Sequence, residues 1–172
     1  MQVIPIYLSR DSQEDVAVQL LLKQRFFSWF DSFDIYDEQK HPVFSVEGKL
    51  AWGHKLSVRN SEGDEIAVLK ERVLTFLPQF EIYVGNRLCG VIKKEFTFFK
   101  PSYVLDCNDW RIEGDFFGWD YRVVDRLGSI VLEISKQLLN WTDTYCLTIP
   151  NPANTLMALM IVLAIDAANC KN

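Results

Sequence analysis

The sequence predicts a mainly β protein, a closed barrel of about 12 antiparallel strands around a central hydrophobic C-terminal α-helix. Three observations predict it. A hairpin-sized pattern recurs along residues 18–149, no sustained 3.6-residue periodicity interrupts that region, and the stretch from Leu156 to Ile165 carries no polar side chain. A barrel of that many strands encloses an interior that must be filled, and the apolar stretch is the segment suited to fill it.

The repeat is defined by an anchor, an aromatic residue or leucine followed two positions later by an aliphatic residue. Six anchors recur at intervals of 18 to 24 residues: Phe33/Ile35, Leu56/Val58, Phe80/Ile82, Tyr103/Leu105, Tyr121/Val123 and Tyr145/Leu147. A turn segment and a second apolar alternation follow each of the first five anchors, which is the pattern of a β-hairpin. With a leading strand in "VQLLLKQR" and a final strand in "TYCLTI", we expect one domain over 18–172, preceded by an extension over 1–17.

An aromatic residue also stands four positions before every anchor. These six landmark aromatics are Trp29, Trp52, Phe76, Phe99, Phe117 and Trp141. Aromatic residues make up 13% of the chain, so chance does not account for all six positions. We expect these side chains to pack at the corners of the barrel.

The C-terminal apolar stretch is too short for an ordinary transmembrane helix, which needs about 20 apolar residues. Asn151 as an N-cap and Pro152 at the first helical position predict a helix over about 153–168. A helix that is apolar on every side must be buried on every side, so we place it along the barrel axis. Membrane insertion and partner binding are the alternatives. We expect Asp166 at the barrel mouth, solvated or paired with an arginine or lysine.

Composition and motifs exclude several classes of function. The net charge of -5 argues against a nucleic-acid-binding surface, which is usually basic. The N-terminal segment lacks the apolar run of a secretory signal, so we expect a cytoplasmic protein. Neither a metal site nor a cofactor is expected, because the cysteines lie far apart and are more consistent with buried thiols. No nucleophile–base arrangement or phosphate-binding loop is found, so no enzyme is expected. The side chains considered for metal binding and for a cysteine–histidine pair are Cys89, Cys107, Cys146, Cys170, His41 and His54.

Three segments resemble bacterial members of the LURP-one-related family: "KQRFFSWFDSFDIYDEQKHPVFSVEGK", "DWRIEGDFFGWDYRVVD" and "LAIDA". The similarity covers about residues 18–168 and includes the rhythm of the repeat. The resemblance implies the fold of the tubby C-terminal-like superfamily, a twelve-stranded barrel around a hydrophobic C-terminal helix. Phospholipid scramblases are similar at a greater distance.

What the resemblance implies about function is limited. Tubby domains bind phosphoinositide head groups, scramblases are associated with calcium-dependent lipid movement, and plant relatives are linked to defence. In scramblases an acid-rich calcium segment precedes the C-terminal helix, whereas the corresponding stretch here, "IPNPANT" at 149–155, has no carboxylate. The resemblance therefore does not carry calcium binding or any head-group ligand over to a position in this chain.

Basic residues recur in the second strands of the hairpins, which run in one direction and should bring them to one rim. They are Lys23, Lys70, Lys93, Arg111 and Lys136, to which Arg72 and Lys94 add. Such a rim suits phosphates or an anionic membrane. The candidate ligands of an anionic head group are Lys70, Arg72, Lys93, Lys94 and Lys136. The alternative is a set of cross-strand ion pairs with the glutamates of the same band, Glu47, Glu71, Glu95, Glu113 and Glu133.

Two hypotheses of function follow. The first is a non-enzymatic module that recognises an anionic lipid or phosphoinositide head group and associates peripherally with a membrane. The second is a soluble structural or regulatory protein that acts through protein contacts without a lipid ligand. An acid-rich region, 106–125, is interpreted as turn caps and solvated strand ends rather than as a metal site.

Overall fold

A computed structural model describes residues 17–23, 32–95, 102–106, 108–115, 120–139 and 142–169. Within them the chain forms twelve strands and one α-helix. The strands are β1 Val18–Lys23, β2 Ser32–Tyr36, β3 Pro42–Ala51, β4 Gly53–Asn60, β5 Glu65–Glu71, β6 Gln79–Val84, β7 Arg87–Glu95, β8 Ser102–Leu105, β9 Arg111–Asp115, β10 Asp120–Val124, β11 Ile130–Leu139 and β12 Thr142–Ile149. A short 3₁₀ turn, Pro152–Asn154, leads into α1, Thr155–Asn169.

The strands form one closed antiparallel barrel in which each strand pairs with its neighbours in sequence. Strand β1 closes the barrel by pairing with β12, from Val18 opposite Ile149 to Lys23 opposite Thr144. Among the described residues the seam is thinnest between β8 and β9, which pair at Val104 and Arg111. The predicted fold class and strand count are confirmed.

The anchors of the repeat face the interior. Every anchor residue is buried except Phe33, which is partly buried and packs against the core. Because successive side chains of a strand point to opposite faces, the residue between the two anchor positions faces outward. The alternation of the sequence therefore sets which face of each strand lines the barrel.

The helix α1 fills that interior. The Asn151 side chain accepts the backbone N–H of Ala153 at 2.9 Å, so the predicted cap starts the helical segment with a 3₁₀ turn. All side chains from Ala158 to Ala168 are buried, which covers every face of the helix and confirms its central position. By length and composition alone Pro152–Asn169 would qualify as a membrane span, but 61% of that window is buried inside the protein.

Of the two states predicted for Asp166, solvated or paired with an arginine or lysine, the solvated one is wrong. Its residue exposure is only 8%, and burial raises the pKa of its carboxyl to about 7. The side chains of Tyr103 and Tyr121 lie close enough for the Asp166 charge to help raise their pKa values. The last turn of α1 therefore shields this carboxyl from solvent.

The landmark aromatics also differ from the prediction where they are described. Trp52 is 90% exposed and Phe76 is 95% exposed, so neither packs at a barrel corner. Both lie in connections beyond the strand ends, where the alternation of the sequence continues but no interior remains for it to face. The other four landmark aromatics, and the extension over 1–16, lie outside the described residues.

The barrel has two ends of different character. We call the upper end the one that carries Trp52, the connection 72–78 and the C-terminal turn of α1. The lower end carries the connections 37–41, 61–64, 85–86 and 125–129. Five carboxylates lie in these lower connections, against Lys40 and Arg126: Asp37, Glu38, Glu62, Asp64 and Asp125.

Candidate functional site

A cavity of about 580 Å³ opens at the upper end of the barrel. Its walls are the turn residues Gly53 and His54, the segment 71–78, Lys94 from β7 and Ala168 from α1. The segment 72–78 contributes mainly apolar side chains, whereas His54, Glu71, Arg72 and Lys94 contribute charge or hydrogen-bonding groups. This upper cavity therefore combines an apolar wall with basic groups.

Close contact between two connections shapes the upper cavity. Gly53 has a φ of +86°, and a Cβ atom at this position would lie 2.8 Å from Cγ1 of Val73 and 3.2 Å from the Glu71 carbonyl oxygen. Only glycine adopts this backbone conformation easily and leaves that space open. Gly53 thus allows the β3–β4 turn to pack against the β5–β6 connection.

Glu71 ties the same two connections together. Its carboxylate Oε2 accepts the His54 backbone N–H at 3.0 Å and lies 3.7 Å from the imidazole Nε2. Glu71 is 6% exposed although it stands at the end of a strand. The carboxylate acts as an internal brace of the upper cavity.

Arg72 lines the cavity, and its guanidinium is held in a fixed orientation beside Glu81, on the outer face of β6. Its Nε donates to Oε1 of Glu81 at 2.7 Å, and the hydroxyl of Tyr83 donates to Oε2 of Glu81 at 2.9 Å. The hydrogen bond from Arg72 is the main cause that lowers the pKa of the Glu81 carboxyl. This hydrogen bond uses only Nε, and with respect to the described residues the terminal amino groups of the guanidinium remain available for a second acceptor.

Lys94 enters the upper cavity from β7. Lys94 lies two residues after the buried Ile92, so the two side chains are on the same face of the strand. The backbone N–H of Lys94 donates to the Pro78 carbonyl oxygen at 3.0 Å. Within the described ranges its ammonium group forms no ion pair. Lys94 and Arg72 therefore line one cavity, each with donor capacity unused by the described protein groups.

The other predicted head-group ligands lie elsewhere. Lys70 is exposed on the outer face of β5, opposite Lys55 on β4 and Glu81 on β6. Lys93 Nζ lies 3.7 Å from Asp106 Oδ2, and Lys136 lies on β11 opposite Tyr145 of β12. Of the five candidates, the structure brings only Arg72 and Lys94 to the upper cavity.

The predicted rim includes two further residues, Arg111 and Lys23, and neither is found at the upper cavity among the described side chains. Arg111 begins β9 opposite Val124, the last residue of β10, so it lies toward the lower end and not with Lys94. The side chain of Lys23 lies outside the described residues. Arg72 and Lys93 do form ion pairs, but with Glu81 and Asp106 and not with the glutamates of the predicted band.

A second cavity of about 460 Å³ lies on the outer face of β9–β12. Its charged lining is mostly acidic: Glu113, Asp120 and Glu133 face Arg122, whose Nη2 lies 3.1 Å from Glu113 Oε2. In the acid-rich region, Asp125 accepts the backbone N–H groups of Leu127 and Ser129 at 2.8 Å, as expected of a turn cap. In the parts of the chain that the structure describes, no group of three or more metal-ligating side chains is found.

Sequence reasoning missed His54, Glu71 and the apolar wall of the upper cavity. The sequence pattern predicts Glu71 in a solvated band of ion pairs. The structure buries this side chain, and its carboxylate accepts the backbone N–H of His54. Nothing in the sequence marks Leu74, whose φ of +63° is rare for a leucine. The one available signal was the landmark aromatic Phe76, which marks the connection that forms the wall.

These features define the class of protein, a closed antiparallel β-barrel filled by its own C-terminal helix, with a mixed basic and apolar cavity at the end where the helix stops. The chain belongs to the LURP-one-related family, whose model matches residues 18–166. It is 30% identical over 150 residues to the uncharacterized protein YxjI of Bacillus subtilis (strain 168), which covers 87% of this chain and 92% of that protein.

A solved structure has the same fold. The X-ray structure of a protein from Arabidopsis thaliana superposes with a TM-score of 0.64 and 18% sequence identity. The superposition covers 88% of this chain and 91% of the plant protein. At this level of identity the likeness shows the shared fold alone.

Proposed function

We propose that this protein is a non-enzymatic, cytoplasmic binding module that recognises the phosphate of anionic phospholipid head groups in the upper cavity and associates peripherally with membranes. The observation that carries the proposal is that Arg72 and Lys94 line the same cavity with unused donors. Charge-assisted hydrogen bonds from both side chains to one phosphate would be short and strong.

The geometry of Arg72 supports a phosphate as the ligand class. Because Glu81 holds Nε, the guanidinium does not have to be ordered when an anion binds, which reduces the entropic cost of association. A planar guanidinium presents paired N–H groups that match phosphate oxygens. Lys94 supplies a mobile point charge beside it. The roles of the two cations are therefore complementary.

The distribution of charge supports binding to an anionic surface in one orientation. The chain has a net charge of -5, and the lower connections are rich in carboxylates. Arg59, Arg87 and Arg111 also lie toward the lower end, but the unused donors of Arg72 and Lys94 attract the upper end to an anionic surface. The protein would approach a membrane with its upper end first.

The surroundings of the upper cavity offer no support for catalysis. The described part of its lining holds no serine or cysteine, and the Thr75 hydroxyl donates to the Arg72 carbonyl oxygen at 3.2 Å. The backbone N–H of His54 is bound by the Glu71 carboxylate. The acidic net charge favours the second hypothesis, a soluble protein that acts through protein contacts.

Flotation with lipid vesicles tests the proposal. We expect the protein to float with vesicles of phosphatidylcholine and phosphatidylserine at low salt, and not with phosphatidylcholine alone. Association should fall as salt rises, since salt screens exposed charges. Lys94→Gln should weaken it about five-fold, because a cation near an anionic surface contributes about 1 kcal/mol.

Arg126→Gln is the matched control, since it removes one exposed cation from the lower end. The proposal predicts unchanged association for this variant. Lys70→Gln reports on the outer face of the barrel, and a loss equal to that of Lys94→Gln would argue for diffuse attraction instead of a cavity. Absence of any lipid-dependent flotation would favour the protein-contact hypothesis.

A further inference from the structure

Three large apolar side chains project from the upper end into solvent. Trp52 is 90% exposed, Leu74 is 101% exposed and Phe76 is 95% exposed. We call them the apolar tips. Val73, in the same connection, is 43% exposed. Full exposure of large apolar side chains that lie together commonly marks a surface that binds something.

The backbone of Leu74 adds a second, independent observation. Its φ is +63°, a left-handed conformation that costs a leucine roughly 1–2 kcal/mol. The cost is not offset by packing, because the side chain is fully exposed. Strain of this kind tends to persist at functional sites. The connection thus holds a leucine outward at a cost to the folded state.

The apolar tips belong to one surface. The turn that carries Trp52 packs against Val73 at Gly53, and the Glu71 brace fixes the two connections together. Phe76 and Leu74 also line the upper cavity, beside Arg72 and Lys94. The tips therefore surround the mouth of a cavity that carries unused cationic donors.

We infer that the apolar tips are a bilayer-docking surface, which enters the membrane interface while Arg72 and Lys94 meet a lipid phosphate. The inference rests on the proposed function and extends it from head-group recognition to insertion. In a bilayer the anionic phosphates lie outside the apolar chains. The protein surface matches these two layers, with Arg72 and Lys94 for the phosphates and the apolar tips for the chains. Tryptophan and phenylalanine beside basic residues suit that boundary.

A protein partner fits the surface less well. A protein interface that buries Trp52, Leu74 and Phe76 would also have to provide acids for Arg72 and Lys94 at the same depth. An anionic membrane provides both layers without a matched partner sequence.

The test uses vesicle flotation of the full chain at low and at high salt. Head-group attraction is screened by salt, whereas apolar insertion is not. The wild-type protein should keep a salt-resistant part of its association with phosphatidylcholine–phosphatidylserine vesicles. Leu74→Asn and Phe76→Ser should each reduce that part about ten-fold, the scale of removing one large apolar side chain from the membrane.

Leu127→Asn is the matched control, because Leu127 is 89% exposed but lies at the lower end. It should leave flotation unchanged. Asparagine tolerates a positive φ, so Leu74→Asn should keep the fold, which thermal unfolding checks. Brominated phospholipids add a direct readout: they should quench the wild-type protein more than Trp52→Phe, since bromine quenches only tryptophan within its reach.

The outcomes separate the inference from the proposed function. Wild-type flotation that high salt abolishes completely, or a salt-resistant part that Leu74→Asn and Phe76→Ser leave unchanged, would overturn insertion while head-group recognition stands. No flotation of the wild-type protein at any salt concentration would overturn both. Self-association that the same two variants abolish, without lipid binding, would assign the surface to protein contact and also overturn the inference.

Discussion

The carboxylate of Glu71 accepts the backbone N–H of His54 at 3.0 Å and joins the end of β5 to the turn that carries Trp52. Glu71→Ala leaves this N–H without its acceptor and should lower the free energy of unfolding by about 1.5–3 kcal/mol. Glu71→Gln keeps an acceptor oxygen and should lose less. Urea denaturation measures both, and equal losses would contradict the role of the brace.

Gly53 and Gly63 offer a matched pair for backbone strain. Their φ angles are +86° and +89°, but a Cβ at Gly63 meets nothing within 4 Å, whereas one at Gly53 meets Val73. Gly63→Ala should cost about 1 kcal/mol from the backbone alone. Gly53→Ala should cost roughly 1–3 kcal/mol more, because the two connections must separate. Similar midpoints for the two variants in urea would show that the contact is unimportant.

The buried helix predicts the effect of a charge in the barrel. Leu159 and Ile161 are fully buried in α1. Leu159→Asp or Ile161→Asp should abolish the folded state, since an unpaired charge would lie in the core. Leu159→Ala should still fold, with a loss of about 2–5 kcal/mol. Circular dichroism and size exclusion report the result, and a folded, soluble Leu159→Asp variant would show that the helix is not the core.

The pKa of Asp166 predicts a dependence of stability on pH. Burial raises the pKa of this carboxyl from 3.8 to about 7, so the folded state binds the proton more tightly than the unfolded state. Its contribution is therefore most favourable below pH 4 and is lost as pH rises toward 7. The difference between the two pKa values corresponds to roughly 4 kcal/mol.

Asp166→Asn removes this titration and provides the comparison. The stability of the variant relative to the wild-type protein should rise between pH 4 and pH 7 and stay constant above. Tyr103 and Tyr121, whose charges would face Asp166, remain neutral in that range because burial raises their pKa values. Parallel stability profiles of the two proteins would contradict the assignment.

The fold could be predicted because it depends on patterns that the chain repeats. Side chains such as Ile35, Val58 and Ile82 recur at the inward positions of strands, and all three are buried. The helix followed from an apolar stretch that no solvated surface could accept. These properties are local in sequence, and barrel closure adds only the pairing of β1 with β12.

The candidate site was harder to predict because it depends on two things: how far each strand extends, and to which face the side chains near its end point. Lys93 and Lys94 are adjacent in sequence, but only Lys94 enters the upper cavity, since neighbouring residues of a strand face opposite ways. Trp52 and Phe76 follow the rhythm of the repeat but lie past the strand ends. The residue at which each strand ends depends on the assembled barrel, and the local sequence pattern does not predict it.

The central helix has a consequence for synthesis of the protein. The ribosome makes all twelve strands before α1, and β1 must wait for β12, the last strand made, to find its partner. Until Thr155–Asn169 leaves the exit tunnel, the inward side chains of the nascent hairpins have nothing to cover them. The nascent chain is thus exposed to aggregation until α1 emerges, and holding chaperones are expected to bind it before then.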